Sequence, residues 1–82
     1  MVVPLNEINA GEQGQVILLA GEDDISLRLF DLGFAPGETV TCVIKGKPGS
    51  MSAYLVRCAV IALREKNALE ILVSRTEDSL QP

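Results

Sequence analysis

The chain contains no histidine, which removes the commonest general base and metal ligand from its chemistry. Its serines, Ser26, Ser50, Ser52, Ser74 and Ser79, have no activating partner close by in sequence. The single run of carboxylates, Glu22-Asp23-Asp24, opens a helical stretch, where the N-terminal dipole favours negative charge. Three successive residues there fan out around the helix start and do not converge on one cation. Gly46-Lys47-Pro48-Gly49-Ser50 has the residue types of a phosphate cradle. It lacks the Gly-x4-Gly-Lys-Ser/Thr spacing and the strand-to-helix setting that aim backbone N–H groups at phosphate. It reads as a hairpin loop. The expectation is therefore no enzyme, no catalytic residue, no cofactor and no metal site.

Cys42 and Cys58 are too few to frame a disulfide scaffold. Both lie in apolar, strand-like stretches and read as small hydrophobes. With 82 residues, 48% apolar content and a formal charge of −4, the chain fits one small domain with a thin core. Its basic residues are scattered, which argues against nucleic-acid binding. No apolar run approaches the roughly 20 residues of a membrane helix. Met1–Glu7 has no basic region followed by an apolar stretch. A cytoplasmic chain without membrane insertion is expected.

These groups must be carried by short elements. Leu5 to Ala10 is a lead-in with Leu5 and Ile8 as core anchors. Gln15 to Ala20 is a strand whose consecutive apolar residues mean two apolar faces or a bulge. Glu22 to Leu32 is helical. Gly33 can adopt the left-handed conformation that ends a helix, with Phe34 folding back onto the last turn. Pro36-Gly37 suits the centre of a type II turn. Further strands are expected at Val40–Lys45, with Val40, Cys42 and Ile44 inward, and at Tyr54–Cys58, with Tyr54, Val56 and Cys58 inward. Val60–Leu63 and Glu70–Ser74 complete the set, separated by a polar turn or single helical turn over Arg64–Ala68. The expected fold is mainly β, a small barrel of about five strands whose closure hides its edges, with one short helix capping an end. Residues 1–74 form the domain and 75–82 a polar C-terminal tail.

Gly11, Gly14, the run Arg28-Leu29-x-x-Leu32-Gly33-Phe34-x-Pro36-Gly37, Val40, Ile61-Ala62-Leu63-Arg64, Ala68 and Ile71-x-Val73 together resemble the FeoA family, ferrous iron transport protein A. The resemblance spans about residues 5 to 74. Two departures stand out. Pro48-Gly49-Ser50-Met51-Ser52 replaces a Gly-Asp-Pro segment of many members, and Cys58-Ala59-Val60 stands where a glycine often precedes Ile-Ala-Leu-Arg. The resemblance implies an SH3-like barrel and an accessory role beside the membrane ferrous iron transporter FeoB, on its cytoplasmic side. It also points to a second reading, a stand-alone regulatory domain related to the C-terminal domain of iron-dependent repressors.

At about 100° per residue, Ile25, Leu29 and Leu32 form the stripe that packs on the barrel, while Leu27 and Phe30 lie on the opposite side. A capping helix buries one side, so Leu27 and Phe30 are expected to stay exposed as a partner or self-association surface. The competing arrangement has Met51 and Tyr54 fold over them. Arg28 borders the stripe, its stem covered and its head on a carboxylate or carbonyl. The partner-binding candidates are Leu27, Phe30, Leu29 and Arg28, for FeoB or for a second copy in a homo-oligomer.

Overall fold

In the computed structural model, which describes residues 1–75, the Leu-Gly-Phe-x-Pro-Gly segment does what its residue types require. Helix α1 (Asp23–Leu32) stops at Gly33, whose φ is +116°. The Gly33 N–H donates to the Phe30 carbonyl and the Phe34 N–H to the Leu29 carbonyl, both at 3.0 Å. This is the paired bonding of a Schellman stop, and Phe34 at its C″ position is fully buried. The next turn closes with the Glu38 N–H on the Ala35 carbonyl at 3.0 Å, and Gly37 takes φ +96°, as a type II turn demands.

Around this exit the sheet is assembled from β1 (Val2–Pro4), β2 (Gln13–Leu19), β3 (Thr39–Ile44), β4 (Met51–Val56), β5 (Ala59–Arg64) and β6 (Ile71–Arg75). The six strands pair antiparallel in the order β1-β6-β2-β3-β4-β5, an SH3-like arrangement. A 3-10 turn (Leu5–Glu7) follows β1, and a single turn of helix, α2 (Glu65–Ala68), joins β5 to β6. The core inside is wholly apolar. Leu5, Ile8, Val16, Phe34, Val40, Cys42, Tyr54, Val56, Ile71 and Val73 are all essentially sealed from solvent.

Four expectations need correction. Among the described residues the strands number six, because Val2–Pro4 pairs with Ser74–Leu72 of β6. The ladder keeps β1 and β5 as edges among the described residues, so strand pairing does not close the sheet. Ile44 is 63% exposed, because a bulge between Cys42 and Ile44 shifts the β3–β4 register and turns it outward. Cys58 is exposed, because β4 ends at Val56 and pairs directly with Ala59, leaving Arg57-Cys58 as a two-residue hairpin turn. The doubly apolar Gln15–Ala20 run is explained by a bulge between Val16 and Leu18.

The lead-in is held by side chains from far along the chain. Lys45 Nζ donates to the backbone carbonyls of Asn6 and Ile8, and Arg75 Nη2 donates to the Glu7 carbonyl at 2.9 Å. Arg75 is the last residue of β6, with its N–H on the Met1 carbonyl. The rest of the expected tail, residues 76–82, lies outside the described residues.

Candidate functional site

Helix α1 has two flanks, and the structure separates the four candidate residues between them. Leu29 points into the core at 3% exposure, so it supports the helix from beneath and reaches the surface only at the floor of a groove on one flank. Leu27 and Phe30 are 64% and 51% exposed. One helical turn apart, they share a shallow concavity with Leu19 at the end of β2, edged by Asp23 and Ser26. Tyr54, the residue expected as one possible cover, is buried in the core instead. Ser26 holds the start of this flank: its N–H donates to the Glu22 carbonyl and its hydroxyl to the Gly21 carbonyl at 3.1 Å.

Arg28 lies on the other flank. Its head makes no hydrogen bond or ion pair among the described residues, in contrast to the tethered head expected from sequence. Leu32 is the second departure on this side. At 42% exposure it lines a groove beside Arg28, Leu63 and Arg64, where full burial was expected from the Ile25–Leu29–Leu32 stripe. The helix crosses the sheet with Leu29 as its one buried residue, so the stripe is narrower than periodicity suggests.

The remaining chemical candidates meet ordinary structural partners. In the loop between β3 and β4, the Gly46 N–H donates to Ser52 Oγ and the Gly49 N–H to Glu65 Oε1, both at 2.8 Å. Two of the donors a phosphate would need are therefore occupied. Among the described residues, no three Cys, Asp or Glu side chains come together as a metal cage. The buried Cys42 thiol is pushed up by desolvation, which the nearby Lys45 charge opposes, and a protonated thiol is a poor nucleophile.

Leu19 is the residue of this concavity that sequence reasoning missed. It follows the β2 bulge, and that one-residue shift decides which side of the sheet it faces. Arg64 was likewise out of reach, since it meets Arg28 only when the end of β5 is folded against α1.

Fold and surface together define a small SH3-like β domain with an apolar concavity on one flank of its helix and a groove on the other. The family model described as FeoA domain matches residues 3–75, and the chain belongs to that family. An iron uptake regulatory protein (FeoA) crystal structure superposes with a TM-score of 0.84 at 27% identity, over 92% of this chain and 99% of that one. FeoA of Stenotrophomonas maltophilia, a procaryotic SH3 domain protein crystallised with zinc, is 32% identical with a TM-score of 0.70, over 90% of this chain and 89% of that one. A manganese-dependent transcriptional repressor shares the fold at 15% identity and a TM-score of 0.81, over 90% of this chain and 41% of that one. No curated protein is similar enough to count as a match. No described helix is long and apolar enough to cross a membrane.

Proposed function

We propose that this chain is a non-catalytic, cytoplasmic accessory protein of ferrous iron transport. It binds the cytoplasmic side of the membrane transporter FeoB through the Leu27–Phe30 flank of α1. The observation that carries this reading is the exposure of Leu27 and Phe30, 64% and 51%, beside Leu19 in one apolar concavity. Leaving these two large side chains half in water forgoes roughly half of the about 1.5–3 kcal/mol that full burial of each contributes, which a partner can recover on docking. Membership of the FeoA family supports the transport context. A role as ferrous iron transport activating factor has been suggested for the Stenotrophomonas protein. Docking works by differential affinity: it stabilises whichever transporter conformation or assembly presents the matching surface.

The test replaces Leu27→Glu and Phe30→Glu together, then measures the thermal melt, transporter co-purification and ferrous iron uptake. A folded double variant should lose association and uptake. Unchanged association and uptake would exclude this flank.

A second reading, a detached regulatory domain of a metal-dependent repressor, is favoured by one observation: the fold of the manganese-dependent repressor covers 90% of this chain. Binding to a metalloregulator, with none to the transporter, would select it.

A further inference from the structure

From the cations on the other flank of α1 that have no side-chain partner among the described residues we infer a second docking site, a groove that takes an acidic, leucine-bearing peptide segment of another protein. The groove runs between α1 and the end of β5 with α2, and encloses about 300 Å³. Its floor is apolar. Leu29 and Leu63 are 3% and 6% exposed, and Leu32 leaves 42% of its surface open at the mouth. Three cations, Arg28, Arg64 and Lys66, line it, and no carboxylate does.

The distribution of positive charge singles this groove out. The chain has 7 Lys and Arg residues. Lys45 is held by backbone carbonyls, Arg57 approaches Glu38, and Arg75 is shared between Glu12 and the Glu7 carbonyl. The side chains of Arg28, Lys47, Arg64 and Lys66 have no hydrogen bond or ion pair among the described residues. Three of those four sit on this one groove. Asp24 and Asp31 stand four residues before and three after Arg28, spacings at which helix pairs form, yet neither engages it.

An apolar slot with a cationic rim recognises an amphipathic segment. One apolar side chain enters between Leu32 and Leu63 while flanking carboxylates meet the guanidinium forks, which match carboxylate geometry. Nucleic acid fits poorly, since the groove offers no aromatic face for a base and the chain is net negative, −4. The groove shares no residue with the Leu27–Phe30 concavity, so the inference stands apart from the transporter reading.

The test titrates the full chain into two fluorescein-labelled helical peptides, one with Glu and Leu at alternating helical turns, the other with every Glu replaced by Gln. Fluorescence anisotropy is read at low salt and in about 0.5 M salt. The acidic peptide should bind saturably, at least about tenfold more tightly than its Gln counterpart, and weaken in salt. Arg28→Glu with Lys66→Glu should lower its affinity about tenfold or more, while Leu27→Glu with Phe30→Glu leaves it unchanged. Both charge-reversed positions are exposed, and a melt confirms folding; a Leu32→Gln variant probes the floor independently and should also weaken binding. Equal binding of the two peptides, or full affinity of the charge-reversed variant, would overturn the inference. So would tighter binding to phosphatidylglycerol vesicles than to the acidic peptide, which would make the patch a lipid contact.

Discussion

Arg57 and Cys58 hold the two central positions of the β4–β5 turn with φ of +51° and +66°. A two-residue hairpin of this geometry favours Asn-Gly, because non-glycine residues there crowd Cβ against the backbone. The glycine that FeoA sequences often carry ahead of Ile-Ala-Leu-Arg is replaced here by the run that begins at Cys58. Cys58→Gly should therefore stabilise the chain by about 0.5–1 kcal/mol after the entropic cost of glycine, read as a Tm higher by a few degrees. A lower Tm would show that the thiol makes a compensating contact. Cys42 and Tyr54 carry a prediction of opposite sign. Burial raises both above their ordinary values of 9.0 and 10.0, so the folded chain keeps protons that the unfolded chain releases. Their stabilisation is complete below about pH 9 and is lost as pH rises through the raised values. Thermal melts should hold steady from neutral pH to about pH 8.5 and fall progressively above it, with a shallower fall in Tyr54→Phe. A Tm constant to about pH 11 would contradict the assignment.

Helix α1 is core along the line of Leu29 and open to solvent at Leu27, Arg28 and Phe30. Leu29→Ala removes the one buried side chain of the helix and should cost about 2–5 kcal/mol. Leu27→Ala and Phe30→Ala should stay within about 0.5 kcal/mol of the parent in a urea melt. A large loss at Leu27 or Phe30 would mean that the chain itself covers them. Much of this element was legible beforehand. Gly33, Phe34, Pro36 and Gly37 each have one favoured role, so the helix stop and its turn follow from residue type alone. The exposure of Leu27 and Phe30 follows from periodicity. The cationic groove did not, because Arg28 is separated from Arg64 and Lys66 by more than thirty residues, with β3 and β4 between them and Arg64 at the end of β5. Ile44 and Cys58 misled for local reasons. Cys42-Val43-Ile44 is apolar in either phase, so no pattern marks the bulge, and Arg57-Cys58 lacks the Gly or Asn that announces a hairpin.

The shortest strand of the sheet, β1, is the one that sequence periodicity could not show. Three residues give no period to detect, and their partner β6 lies about seventy positions away. Proline is tolerated in β1 because an edge strand can spare its missing N–H. The effect of this small strand is large. It covers one side of β6, whose Ile71 and Val73 are fully buried, and contributes Val3 at 7% exposure. On the other side β6 pairs with β2, so without β1 a strand from the centre of the core becomes an edge, the arrangement that invites chain-to-chain pairing. Deleting Met1–Val3 should remove about 2 kcal/mol or more, through the lost Val3 burial and ladder bonds. It should also produce concentration-dependent association by size-exclusion chromatography with light scattering. Val2→Lys separates the two contributions: Val2 is 54% exposed, so the charge leaves the ladder and Val3 in place, and both stability and the monomeric elution should match the parent. A deletion variant as stable and as monomeric as the parent would show that β6 is protected by something other than β1.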